Sequence, residues 1–413
     1  MTAVQGSRSA LTFIFLTMLI DTMGLGLIIP VMPGLIRELT GQDLSGAAHW
    51  AGGLFFTYAL MQFLFAPLIG NLSDRFGRRP VLILSLVMLG VDYMVMGLST
   101  GIVWLFIGRT LSGMAGASMP TVTAYIADVS PPEKRAANFG LIGAAFGAGF
   151  VLGPALGGFV GEYLGLRAPF FCAAGLASAN ALFGLLVLKE SLPPSRRRKF
   201  ELWRANPLGS LAALKRYPAL TLLFGVLVLI RLAHDALPAT WTYYTMLKFG
   251  WGPRDVALSL SAVGALTAIT YAVVPRLAVP RIGETRAVVL GLAGTALAYA
   301  GYAFSAQPWM LYSWMILFAL GGAAAPALNA ILSHLVPHDE QGELQGAISS
   351  IGSLTSVVSP LVMTNLFGYF TGPATPVQFP GASFLAASLF ELAALALFVL
   401  AAPARAHATE KVT

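Results

Sequence analysis

The chain has 413 residues, of which 57% are hydrophobic and only 10% charged, with a formal net charge of +7 and a mean hydropathy of +0.76. An ordinary soluble globule is excluded, since about a quarter of its residues would be charged, and the lipid bilayer becomes the relevant solvent. Nucleic-acid binding is not implied either, because the basic excess sits mainly in one segment, residues 189–216.

Twelve apolar stretches are each long enough to cross a hydrocarbon core of roughly 30 Å as a helix of about 20 residues. They are expected near residues 10–34, 50–71, 81–99, 101–127, 136–160, 168–188, 219–247, 256–277, 286–306, 308–333, 342–369 and 380–402. The first contains Asp21 and Thr22 and lacks a small-residue cleavage site, so it reads as a retained span rather than a signal peptide. Between the second and third lies Gly70-Asn71-Leu72-Ser73-Asp74-Arg75-Phe76-Gly77-Arg78-Arg79. This segment predicts a short turn whose charges stay at the membrane surface. The third span carries Asp92 and the fourth Arg109. At about 1.5 Å per residue, Asp21 and Asp92 lie roughly 16 and 18 Å from one end of their spans and Arg109 roughly 12 Å from the opposite end. All three converge near the midplane. The fifth span reads Gly147-Ala148-Gly149-Phe150-Val151-Leu152-Gly153-Pro154-Ala155-Leu156-Gly157-Gly158, a face for close helix packing with a proline kink. Cys172, the single cysteine, lies in the sixth span and forms no intrachain disulfide.

Lys189, Arg196, Arg197, Arg198, Lys199, Arg204, Lys215 and Arg216 fill the connection to the seventh span, as expected of a basic linker facing anionic lipid headgroups. The seventh span places Arg231, His234 and Asp235 at i, i+3 and i+4, predicting a salt-bridged polar stripe on one helical face. Glu391 falls near the middle of the twelfth, either as a second protonatable group or as a partner of Arg231 or of a packing hydroxyl. Pro337 between His334 and His338 argues against a metal pair there, and no metal is expected. Nineteen Lys and Arg fall on one side of this topology and four on the other, which puts both termini in the cytoplasm.

A constant offset of 206 residues aligns Gly77 with Gly283, Gly116 with Gly322, Pro120 with Pro326, Pro131 with Pro337 and Pro154 with Pro360. Six spans per half then form parallel repeats: a bundle over 1–188, a basic linker over 189–217 and a second bundle over 218–413. The positions offset from Asp21, Asp92 and Arg109 are Leu227, Ala298 and Met315, so the charge chemistry belongs to the first half.

A charge at the bilayer centre costs at least a few kcal/mol, so these groups must face the protein interior, a watery cavity or one another. Asp92 with Arg109 reads either as a permanent ion pair or as a proton-responsive one. Asp21 has no cation at its depth in its own span, which makes it the first candidate for a coupling proton. Enzymatic readings fail on context. Gly97-Leu98-Ser99-Thr100-Gly101 matches a nucleophile-elbow string but lies in a turn between helices, and the chain contains no phosphate-binding Gly-x-x-x-x-Gly-Lys. No cofactor is expected; the driving force is a proton gradient, or a cation moving with the substrate.

The loop at 70–79 resembles the signature loop of the major facilitator superfamily, and the string at 147–158 resembles the motif of its proton-antiporting exporters. Arg109 with Gly108, Gly113 and Gly116 is similar to an arginine-bearing motif assigned in that family to proton relay. Asp21-Thr22-Met23-Gly24-Leu25-Gly26-Leu27-Ile28-Ile29-Pro30, Tyr58-Ala59-Leu60-Met61-Gln62 and Pro238-Ala239-Thr240-Trp241 look like the tetracycline-exporter group of drug/proton antiporters.

That resemblance implies an all-α membrane protein, twelve transmembrane helices in two parallel-repeat six-helix bundles, multi-pass in the bacterial inner membrane. It implies export of a small amphipathic compound in exchange for protons by alternating access. The alternative is a proton-coupled carrier of a metabolite such as a sugar or siderophore. Asp21, Gln62, Asp74, Arg78, Asp92 and Arg109 match the group's functional set. Proton coupling falls to Asp21, Asp92 and Arg109, gating to Gly70, Asp74, Arg75, Gly77 and Arg78, and the antiporter motif to Gly149, Gly153, Pro154 and Gly157. Substrate-cavity candidates are Tyr58, Gln62, Arg231, His234, Asp235, Trp314, Phe318, Asn329 and Glu391. Thr267 and Thr295 stand where the group has a histidine and an aspartate, so the substrate's identity does not transfer. The expected partners are a small-molecule substrate, protons and membrane lipids, with no nucleic acid, and the chain is expected to act as a monomer.

Overall fold

A computed structural model describes residues 8–198, 200, 220–337 and 340–401. Lys199, Arg204, Lys215 and Arg216 of the basic linker, His338 and both chain ends lie outside the described residues. The first half contains α1 (Arg8–Ile28), α2 (Met32–Thr40), α3 (Leu44–Phe76), α4 (Arg78–Gly97), α5 (Ile102–Gly116), α6 (Met119–Val129), α7 (Pro132–Leu164) and α8 (Ala168–Val187). The second contains α9 (Thr221–His234), α10 (Ala236–Phe249), α11 (Pro253–Leu277), α12 (Val279–Ile282), α13 (Glu284–Phe304), α14 (Pro308–Gly321), α15 (Ala324–His334), α16 (Gln341–Thr371) and α17 (Ala382–Leu400).

Helices are the element a bilayer permits, because each satisfies its own backbone polar groups where there is no water. Among the described residues, eleven spans are long and apolar enough to cross a membrane, and α11 stands at the eighth expected position. Their outer faces are as apolar as their inner ones. On α4, Leu84, Val87, Val91 and Met94 form an exposed stripe, while Leu82, Leu86, Leu89, Tyr93 and Met96 are buried. A water-exposed helix would not present such a stripe; a lipid-facing one must.

The turn expected over 70–79 is mostly helix. α3 continues to Phe76 and α4 begins at Arg78, which leaves Gly77, at φ 108°, as the whole break. Charged residues at the membrane surface have no reason to leave the helix; only the reversal itself needs a residue that tolerates positive φ. Gly70 is accordingly helical. The break recurs 206 residues later, where α12 ends at Ile282, Gly283 takes φ 81° and α13 begins at Glu284. Similarly, α1 ends at Ile28 and α9 at His234, and the fourth span breaks between α5 and α6 as the tenth does between α14 and α15. The duplication therefore extends from residue identity to backbone geometry.

By packing, the chain divides into two compact units: Met1–Gln42, Thr57–Pro207 and Trp251–Ser261 in one, and Asp43–Phe56, Leu208–Gly250 and Ala262–Thr413 in the other. Helices α3 and α11 thus each contribute to both. The first unit's core joins Phe13, Ile14 and Met18 of α1 to Leu82 and Leu86 of α4 and to Val122, Tyr125 and Ile126 of α6. It also holds the start of α11, where Ser261 Oγ donates to the Val151 carbonyl at 2.8 Å. The second unit's core joins α9, α13, α15 and α17 through Leu227, Leu292, Leu328 and Phe398. There the start of α3 is held by Ser45 Oγ donating to the Gly368 carbonyl at 2.8 Å and by His49 Nδ1 at 2.8 Å from Asn365 Oδ1.

Candidate functional site

The first unit encloses the midplane charges. Asp92 on α4 is fully buried; its Oδ2 accepts from Ser112 Oγ and lies 3.8 Å from Arg109 Nη2, while Oδ1 has no partner. Ser112 follows Arg109 by three residues, so both reach Asp92 from one face of α5. The closer bond is the hydroxyl's. Arg109 is buried as well, with Nη2 3.3 Å from Met96 Sδ and its guanidinium 5.7 Å from the centre of the Tyr58 ring. Cation–π contact of this kind strengthens where water is excluded. Tyr58 lies within electrostatic reach of Asp21, Asp92 and Arg109 together, so the three charges expected at one depth share a neighbour. One turn along α3, Gln62 Nε2 donates to the Gly116 carbonyl at 3.1 Å.

Asp21, on α1, is half-buried and lines a small cavity with Thr17, Ser85, Leu89, Ala115 and Ser118. No cation forms an ion pair with it among the described residues. The cavity keeps three hydroxyls beside the carboxyl in a lining that is otherwise apolar, which suits it to holding and passing a proton. Helix α1 is positioned against α7 by the glycine string. A methyl added at Gly149 would lie 2.7 Å from Thr22 Cβ, and one at Gly153 2.7 Å from the Met23 carbonyl oxygen. Gly157 abuts the Leu27 carbonyl, and Pro154 Cδ faces Gly26 across the same seam.

At the end of α3, Arg78 Nη1 donates to Asp74 and, at 2.7 Å, to Ser73 Oγ, while its Nε lies 3.5 Å from Asp128 Oδ2. Glu190, beyond α8, accepts the backbone N–H of Arg78 at 2.8 Å, of Arg79 at 3.3 Å and of Leu192 at 3.0 Å. It caps α4, whose first N–H groups have no helical acceptor. The Arg75 guanidinium stacks 5.1 Å from the centre of the Phe76 ring.

In the second unit the expected polar stripe does not close. Arg231 and His234 occupy the last turn of α9 and are exposed, Asp235 sits in the break before α10, and among the described residues no ion pair joins Arg231 to Asp235. The break takes Asp235 out of α9, yet it still lies within electrostatic reach of Arg231. Asp235 also has Ser359 within side-chain hydrogen-bond reach. Trp314 packs on Gly301, and Asn329 keeps a buried, unpartnered Oδ1. Phe318 belongs to a buried aromatic cluster, 5.4 Å from Tyr299 and 6.1 Å from Tyr302 between ring centres, in which Phe384 lies 5.9 Å from Trp241 and 5.0 Å from Tyr244. Glu391 is 3% exposed.

Residues 14–360 and 279–413 match the family described as Major Facilitator Superfamily. The chain belongs to the major facilitator superfamily. This facilitator is 41% identical over 362 residues to the class C tetracycline resistance protein of Escherichia coli, covering 87% of this chain and 90% of the relative. It is 40% identical to the class G protein of Vibrio anguillarum, over 88% of this chain and 92% of the relative, and 30% identical to Multidrug resistance protein 2 of Bacillus subtilis, over 84% and 85%. Among solved structures it superposes on the nucleoside transporter NupG with a TM-score of 0.74 at 13% identity, covering 96% of this chain and 99% of that one. The human organic anion transporter MFSD10 gives a TM-score of 0.69 at 24% identity over 95% and 99%. These structures share the fold; the likeness to the tetracycline exporters read from the strings at 21–30 and 58–62 runs through most of the sequence.

Sequence reasoning did not single out Ser112, Asp128, Glu190 or the aromatic cluster of this facilitator. Ser112 carried a usable signal, its i+3 spacing from Arg109. Glu190 carried none, because its partners lie 112 and 111 residues away.

Proposed function

We propose that this facilitator is a proton-coupled antiporter that exports a tetracycline-like amphipathic compound across the bacterial inner membrane, with both termini in the cytoplasm. The observation that carries this reading is Asp21: a carboxylate without a cation among the described residues, facing a small cavity with three hydroxyls in a mostly apolar lining, in a chain whose relatives along nearly their full length are resistance proteins. A proton on Asp21, or on the Asp92 and Arg109 pair, changes the relative stability of the two access states, so that proton and substrate favour opposite ones. Asp74 and Arg78 belong to the segment that gates one end. One proton moving through about 100 mV supplies roughly 2.3 kcal/mol, enough for about a 40-fold gradient of an uncharged substrate.

The test uses inside-out vesicles with an acid interior reported by a fluorescent amine. Adding tetracycline should draw protons out and restore fluorescence, and Asp21→Asn should abolish the response while leaving protein abundance unchanged. Intact proton exchange in the Asp21→Asn variant would refute the role given to that residue.

A further inference from the structure

The second unit contains a titratable group that the first unit's chemistry does not use. Glu391 lies midway along α17, nine residues from either end, with 3% of its surface exposed and its Oε2 without a hydrogen-bond partner among the described residues. Two aliphatic hydroxyls beside it donate to backbone carbonyls. Thr295 Oγ1, within side-chain reach of the Glu391 carboxyl, donates to the Gly291 and Leu292 carbonyls at 3.0 and 3.2 Å. Ser388, one turn before Glu391, donates to the Ala296 carbonyl at 2.8 Å.

The titratable and charged groups on the elements packed against α17 supply no counter-charge. From α13 come Glu284 and Arg286, both in its first turn, and Tyr299 and Tyr302, whose hydroxyls have no partner among the described residues, Tyr299 lying within electrostatic reach of Glu391. From α9 come Arg231 and His234, both exposed in its last turn, and from α10 come Tyr243, Tyr244 and Lys248, the lysine donating to Tyr244 and to the Ala303 carbonyl at 3.3 Å each. On α16 the ionisable side chains, Glu343 and Tyr369, are near its two ends. Among the described residues no cation forms an ion pair with Glu391. Among the described residues an anion here would lack a counter-charge, whereas a neutral acid can donate to the Thr295 hydroxyl, which has acceptor capacity left.

We infer that Glu391 is a second proton-carrying site, loaded in the state described here and emptied in the opposite access state, so that each substrate molecule exchanges for about two protons. Thr295 is its positioning residue, and the inference rests on the antiport reading.

The experiment measures protons released per protein when saturating tetracycline is added to the purified full chain in weakly buffered detergent solution. Glu391→Gln, an isostere of the neutral acid, should fold with an unchanged melting temperature and release about half the protons of the wild type. Asp21→Asn should also lose about half, and the double variant nearly all. Full proton release from Glu391→Gln would overturn the inference and leave the Asp21 reading standing. A lost fold or a strongly lowered melting temperature in that variant would overturn it too, because glutamine fails to replace glutamate only where the carboxyl is needed as an anion. No release from the wild type would overturn the antiport reading together with this one.

Discussion

Replacing Gly153 by alanine tests whether the glycine string on α7 sets the distance to α1. The added methyl would sit 2.7 Å from the Met23 carbonyl oxygen and 2.9 Å from Gly26 Cα, where ordinary contact begins near 3.4 Å. Helices α1 and α7 would therefore have to part by about 0.5–0.7 Å, forfeiting dispersion contact along the seam, and overpacking of this kind costs about 1–3 kcal/mol. Alanine also improves a helix over glycine by about 0.5–1 kcal/mol, which would mask part of the loss. Gly143 on the same helix corrects for this, since a methyl there meets nothing within 4 Å. Gly143→Ala should be neutral or mildly stabilising. For a chain of this size the two variants should differ in melting temperature by roughly 2–5 °C, read by thermal unfolding of the full chain in detergent. A Gly153→Ala protein that melts at or above Gly143→Ala would refute the seam. Because the same helix positions Asp21, Gly153→Ala should also lose transport in inside-out vesicles, and Gly143→Ala should keep it.

Two further substitutions separate structural from chemical roles in the first unit. Glu190→Ala leaves two backbone N–H groups at the start of α4, and that of Leu192, without their acceptor and should cost about 1–2 kcal/mol of stability, while Glu190→Gln, which keeps an acceptor but not the charge, should cost about half as much; equal melting of all three proteins would discount the cap. Ser112→Ala takes from Asp92 its nearest donor in a fully buried site, so stability should fall by about 1–3 kcal/mol and drug-driven proton exchange should slow; an unchanged exchange rate with unchanged stability would mean that Arg109 alone suffices for Asp92.

Much of the architecture was legible because the forces that set it are local. A bilayer demands about twenty consecutive apolar residues per crossing, so the positions of the spans could be counted from hydropathy. Gly77 and Gly283 mark reversals because a chain bending at positive φ favours a residue without a side chain, and both are the breaks that the structure shows. Rise per residue placed Asp21, Asp92 and Arg109 at one depth, and the structure gives them Tyr58 as a common neighbour. The same reasoning overextended the loop at 70–79. Polarity sets this segment apart from the apolar spans, but it does not say whether the helix stops there.

What the amino-acid order determined by itself was the solvent, the number of crossings and the duplication. Only the tertiary structure decided partners. It set Ser112 closer than Arg109 to Asp92, brought Glu190 to the start of α4, drew Phe318 into an aromatic cluster and, among the described residues, left Glu391 without an ion-pair partner. The reason is geometrical: depth follows from counting residues along one helix, whereas partnership depends on which helices adjoin and how each is rotated about its axis. In helices that are apolar on every side, no periodic pattern records that rotation.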